Sequence, residues 1–172
     1  MLIFPSAIVF LIVSIYPLLT GIMLSFQNSS LYKGNEKKFV GLKNIITILT
    51  SDAEFRSDLL FTVIYTIGIV VIAYITGLVF SLLLNADVPC RTLFRVLILI
   101  PWVISPAVSS MSWSWLLSDQ YGFFNNFLKS IGVIDKSILF LADKTLAKIM
   151  VIIIGAWRNF PFITVSLLAG LQ

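Results

Sequence analysis

The sequence predicts an all-α fold, a polytopic transmembrane helix bundle, and two observations predict it. Of its 172 residues, 59% are hydrophobic and only 12% are charged, with a mean hydropathy of +1.02, outside the range of soluble globular domains. Residues 2–32, 59–86, 96–118 and 149–172 form four runs without charge except for Arg158, and each reaches the roughly 20 residues that cross a hydrocarbon layer.

The first run starts at Met1 without a positive n-region, is too long for a signal-peptide core and shows no small-x-small cleavage pattern before Asn28. It is expected to remain as a membrane anchor and first span. In the polar connection 27–58, Leu42, Ile45, Ile46 and Leu49 repeat at helical spacing and predict a short amphipathic helix. The second span carries Ala73, Gly77 and Ser81 at steps of four, a ladder of small residues that lets a neighbouring helix approach closely. A tight connection with Asp87, Pro89, Cys90, Arg91 and Arg95 leads to the third span. There Pro101 and Pro106 predict helix kinks, and Ser105, Ser109, Ser110, Ser112 and Ser114 are read as returning hydrogen bonds to carbonyls freed by them. Phe123, Phe124, Phe127, Leu128 and Ile131 predict a second short surface helix ending near Gly132. The apolar patch 138–142 is too short to span and reads as interfacial, and Asp143 is placed to cap the last helix.

Several function classes fall away on composition. The net charge of +4 is spread over the connections without a basic block, which argues against nucleic-acid binding and leaves membrane lipid as the partner of the charge. The chain has one cysteine, Cys90, and no histidine, so neither an internal disulfide nor a metal site is expected. No nucleophile with a base, paired carboxylates or phosphate-cradling glycine loop is present, so no catalytic residue is assigned. A secondary transporter would need coupling carboxylates within its spans, and no Asp or Glu lies there.

The last helix concentrates the chemistry. Trp157-Arg158-Asn159-Phe160-Pro161 stands near mid-membrane, where an arginine costs roughly 2.5 to 3.5 kcal/mol unless it faces water, protein or a substrate path. Pro161 predicts a third kink. Gly155, Arg158, Asn159 and Phe162 fall at i, i+3, i+4 and i+7, on one face. They are the substrate-path candidates. Asn159 offers a donor and an acceptor, Arg158 five donors, Phe162 a ring for a sugar face, and Gly155 room, a set that suits a polyol. The competing reading has Arg158 snorkelling or paired with a carboxylate of a partner helix, and Asn159 bonded to backbone near Pro161.

From residue 85 onward the order of motifs is specific. It comprises a Leu-Leu-Leu-Asn helix end at Asn85, Arg91-Thr-Leu-Phe-Arg95, Leu99-Ile-Pro-Trp102 followed by Pro106, Trp113-x-Trp115-Leu116, Tyr121-Gly122 with Asn125, Ala156-Trp157-x3-Pro161-Phe162, and Leu168-Ala-Gly-Leu-Gln172. Phe39-Val-Gly-Leu42 with Asn44, and Phe61-Thr62, precede it. This set resembles the inner-membrane permease subunits of binding-protein-dependent ABC importers, in the sugar-importing group related to the maltose permease. The resemblance implies about four spans of a type I importer transmembrane domain. It divides the chain into residues 1–56, an N-terminal transmembrane helix and extracellular loop, and residues 57–172, the ABC transmembrane type-1 domain.

The resemblance further implies a multi-pass subunit of the inner (cytoplasmic) membrane that is not itself an enzyme and needs no cofactor, ATP being bound by two partner ATP-binding subunits. The other implied partners are a second permease subunit, an extracytoplasmic solute-binding protein and a sugar-like solute, and the path candidates match positions that contact sugar in maltose-type relatives. An arginine at position 158 departs from that uncharged pattern and admits glycerol 3-phosphate or another acidic solute, such as a uronate. The family's Glu-Ala-Ala loop would follow Gln172, so the resemblance implies a chain incomplete at its C-terminus; a non-transporting remnant or scaffold is the remaining alternative. Orientation divides the two lines of reading. Lys33, Lys37, Lys38, Lys43, Arg56, Lys129, Lys136 and Lys144 share one side by parity and Arg91 and Arg95 the other, which by the positive-inside rule puts the long loops in the cytoplasm. The resemblance implies the reverse, with a cytoplasmic N-terminus, and is followed here.

Overall fold

The computed structural model describes residues 4–28, 38–86 and 89–171; Lys33, Lys37, Asp87 and Gln172 lie outside the described residues. The chain forms two compact units, residues 1–61 and 62–172.

In the first unit, α1 (Phe4–Phe10), a π-helical turn (Leu11–Ile15) and α2 (Tyr16–Ser25) follow one another without a break. Pro17 has no N–H to return to the preceding turn, and the wider turn, closed by Tyr16 N–H on the Leu11 carbonyl, accommodates it. Residues Ile8–Ser25 are long and apolar enough to cross a membrane. A two-residue ladder then pairs β1 (Gln27–Asn28) with β2 (Lys38–Phe39), Gln27 opposite Phe39. The sequence did not predict it, because two residues leave no periodic signal. Gly41, at φ +58°, takes a left-handed conformation suited to glycine as the chain turns into α3 (Lys43–Ser51). Asn44 on α3 donates to the carbonyls of Ser25 (2.9 Å) and Gln27 (3.0 Å), tying the amphipathic helix to the end of α2. Asp52 then accepts from Phe55 N–H at 2.9 Å and starts α4, and Arg56 donates to the Thr50 and Leu49 carbonyls at the end of α3.

α4 (Ala53–Asn85) has 33 residues, about 50 Å of helix at 1.5 Å per residue. Its ladder residues Ala73, Gly77 and Ser81 are buried. α8 (Lys144–Gly170), capped by Asp143 through Thr145 N–H (3.0 Å) and Leu146 N–H (2.8 Å), lies against it. Gly68 faces Ile152, Ile69 faces Gly155, and Gly77 faces Ile163 and Thr164. Positions rise together on both helices, so α4 and α8 run parallel.

That direction settles the stretch between them. α5 (Arg91–Val103) and α6 (Pro106–Leu116) meet at 94°, and neither alone is long enough to cross. Because α8 starts beside the early turns of α4, the chain must return across the same depth between residues 86 and 143. α5 and α6 therefore form one broken span, the fourth beside residues 8–25, α4 and α8.

The break lies between the two prolines expected to kink this span. Pro101 lies inside α5, buried and without interrupting it. Pro106 begins α6 rather than bending a continuing helix: Ser105 is extended, and its hydroxyl accepts from Val108 N–H at 3.4 Å. Proline at a first helical position loses no helix bond, so the chain turns at Ile104 and Ser105 instead. Likewise α8 continues through Pro161 as one helix of 27 residues.

α7 (Phe123–Ser130) is the second amphipathic helix. Gly132, at φ +71°, closes it: Gly132 N–H reaches the Lys129 carbonyl and Val133 N–H the Leu128 carbonyl, each at 3.0 Å.

Candidate functional site: a polar cavity against the last span

Trp113 on α6 joins three elements, stacking on Phe124 of α7 (6.0 Å between centroids) and meeting Trp157 of α8 edge-on at 5.3 Å. Beside it lies a cavity of about 290 Å³, walled by α4, α6 and α8 and by Leu117 and Leu141. Its polar wall comprises Tyr65, Ser109, Ser110, Ser114 and Arg158, and no carboxylate among the described residues lines it. Arg158 Nη1 is buried and has no hydrogen-bond partner among the described residues. The Arg158 side chain as a whole is half-buried, so its Nη1 is a donor placed to meet an anion or a strong acceptor in the cavity.

The other path candidates divide. Gly155 lines the cavity, but the room left by its missing side chain belongs to α4: a Cβ there would stand 2.4 Å from Ile69 Cδ1 and 3.5 Å from the Tyr65 hydroxyl. The expectation that this glycine leaves space for a solute is corrected to a close helix contact on the cavity wall. Asn159 is exposed and its Nδ2 donates to the Gly155 carbonyl at 2.7 Å, which leaves Oδ1 for other donors. Phe162 is 56% exposed, its ring 6.0 Å from Trp102 of α5. The shared face thus presents Arg158 inward and Asn159 and Phe162 outward.

Tyr65, Ser109 and Ser114 escaped assignment to the site from sequence. Ser110 and Ser112 do return bonds to the Pro106 and Val108 carbonyls, and Ser109, Ser110 and Ser114 line the cavity. Tyr65 had left a signal, a phenol within an apolar run. A second cavity of about 590 Å³ lies between α4, α5 and α8; Phe80, Phe94, Pro101, Trp157 and Phe160 give it an apolar lining with no charged group.

No family model matches the chain. The probable ABC transporter permease protein y4oQ of Sinorhizobium fredii is 37% identical over 169 residues, 98% of this chain and 53% of that protein. The chain belongs to the ABC transporter permeases. This permease is also 32% identical, over its entire length and 57% of the relative, to the trehalose/maltose transport system permease protein MalF of Thermococcus litoralis. The trehalose transport system permease protein SugA of Mycobacterium tuberculosis is 32% identical over 99% of the chain and 53% of its own length. Among solved structures, a bacterial ABC transporter involved in the import of the acidic polysaccharide alginate superposes on 98% of this permease with a TM-score of 0.80 at 20% identity, covering 55% of that chain. That likeness shows the fold. The permease spans about half the length of the curated relatives it matches.

Proposed function

We propose that this chain is part of the membrane-embedded permease subunit of an ABC importer that moves a sugar or oligosaccharide across the inner membrane. The solute is delivered by an extracytoplasmic binding protein, a second permease subunit completes the path, and two ATP-binding subunits drive the cycle in trans. The observation that carries this reading is the match of the whole chain, α8 included, to permeases named for trehalose/maltose and trehalose transport. A structure of a bacterial alginate ABC transporter in complex with alginate pentasaccharide-bound periplasmic protein, at a TM-score of 0.77, supports the binding-protein partner.

The division of labour follows from the chemistry. Nothing in the site suits phosphoryl transfer; its side chains bind and orient a solute while the helices alternate between inward-facing and outward-facing arrangements. Residues 57–172 carry the transport domain in this reading, and α8 supplies part of the path wall through Gly155, Arg158, Asn159 and Phe162. In the complete transporter reconstituted in liposomes, Asn159→Ala is expected to lower sugar uptake on the order of fivefold, the equivalent of one hydrogen bond of about 1 kcal/mol. Unchanged uptake across solutes would remove this face from the path.

Orientation has its own test, using the lone thiol. Cys90 is exposed in the connection between α4 and α5, which this reading places in the cytoplasm. A membrane-impermeant maleimide is expected to label Cys90 in inverted vesicles and not in intact spheroplasts. The opposite pattern would restore the orientation given by the count of positive charges.

A further inference from the structure

We propose that the Arg158 cavity is an anion subsite of the solute path, built to receive a carboxylate of an acidic saccharide. The proposal rests on the importer reading above and adds the class of solute.

Three observations combine. Arg158 Nη1 is buried without a hydrogen-bond partner among the described residues. The cavity into which it is built carries hydroxyls of Tyr65, Ser109 and Ser114, and no Asp or Glu is among its lining residues. Asp143, the acidic residue nearest α8 in sequence, is engaged instead at the helix start by two backbone N–H groups. A neutral polyol would accept hydrogen bonds from the guanidinium but leave its charge uncompensated. A carboxylate compensates the charge and fits the planar fork of arginine with two parallel hydrogen bonds. Neighbouring hydroxyls are suited to its remaining lone pairs or to ring hydroxyls beside it.

The alternative anion is a carboxylate of the second permease subunit. The cavity walls come from α4, α6 and α8 of this chain, and Leu117 and Leu141 line the same space. Either group would enter between the same walls, and the uptake comparison below separates them. At about 290 Å³ the cavity lies at the small end of ligand sites, which run from roughly 300 to 1,000 Å³. It suits one acidic sugar unit of a longer chain.

The test is uptake and ATPase stimulation by the complete transporter in proteoliposomes with its binding protein, using trigalacturonate and maltotriose as acidic and neutral probes. The wild type is expected to carry trigalacturonate. Arg158→Gln is expected to lower that uptake about tenfold or more, the effect of losing one charge-assisted hydrogen bond, and to lower maltotriose uptake by much less. Arg158→Lys should retain most of it. A wild type that carries maltotriose and rejects trigalacturonate overturns the anion subsite and leaves the importer reading standing; this comparison does not depend on any variant folding. Equal loss of both probes in Arg158→Gln, with the complex intact by gel filtration, overturns it in favour of a carboxylate from protein. If neither probe is carried and neither stimulates ATP hydrolysis, the sugar-importer reading falls and the subsite with it.

Discussion

Gly77→Leu is expected to force α4 away from α8 and to cause the larger loss of stability among single substitutions in the span core. A Cβ on Gly77 would stand 2.7 Å from Ile163 Cγ2, 2.9 Å from Ile163 Cβ and 3.2 Å from the backbone nitrogen of Thr164. Ile163 Cγ2 and Cβ sit at the stiff β-branch beside the backbone, so Gly77→Ala is already expected to be destabilising. The Thr164 backbone cannot move aside, because Thr164 is fully buried in a continuous helix, and leucine adds three further carbons beyond Cβ. Overpacking of this kind typically costs about 1–3 kcal/mol and here acts on a seam with no slack. The contacts of Gly68 with Ile152 and of Gly155 with Ile69 belong to the same seam, so the displacement carries to the wall of the Arg158 cavity. Thermal unfolding of the purified protein in detergent, followed by tryptophan fluorescence, should show a clear fall in midpoint for Gly77→Leu. Gly170→Leu, on the same α8 but with nothing within 4 Å of the added atom, is the control. Equal midpoints for the two variants would mean that the seam does not hold the spans together.

Asn125→Ala is expected to release the segment between α7 and α8. Asn125 is 1% exposed. Its Nδ2 donates to the carbonyls of Ser118 (3.2 Å) and Ile138 (3.0 Å), and its Oδ1 accepts from Ile138 N–H at 2.8 Å. One amide thus pairs both backbone groups of Ile138 and joins the turn after α6 to the irregular segment before Asp143. Alanine removes all three bonds and leaves the two half-buried backbone groups of Ile138 unpaired, each worth about 1–3 kcal/mol, partly recovered if water enters, while the Ser118 carbonyl keeps Gly122 N–H. A total of about 2–4 kcal/mol is expected on that basis. Trypsin should then cut faster after Lys136, within the released segment, while cleavage after Lys148, inside α8, stays slow. Unchanged cleavage at Lys136 would show that other contacts hold the segment. Leu141 lies on the same segment and lines the cavity, so the variant also tests whether this loop shapes the site.

Much of this architecture was legible because it is local. Runs of apolar residues mark α4 and α8, and Asp143 and Gly132 stand at helix ends where their chemistry stops or starts a helix within a few residues. The amphipathic α3 and α7 declare themselves by period, and the ladder of Ala73, Gly77 and Ser81 announces a close helix contact. The broken span was not legible: Pro101 and Pro106 look alike in sequence, yet one continues a helix and the other opens a new one at 94°. The difference depends on whether the preceding residues leave the helical region, as Ser105 does.

The same division runs through the site. By itself the sequence determined a bundle of membrane helices of ABC permease kind and a polar face at Gly155, Arg158, Asn159 and Phe162, because hydropathy, helical period and motif order are written along the chain. Only the tertiary structure decided that Ile69 takes the space beside Gly155, that Asn159 bonds its own helix, and that Arg158 meets the hydroxyl-lined wall of α4 and α6. A helical period says which residues share a face; what that face meets depends on residues 40 to 90 positions away, brought near only when the spans pack.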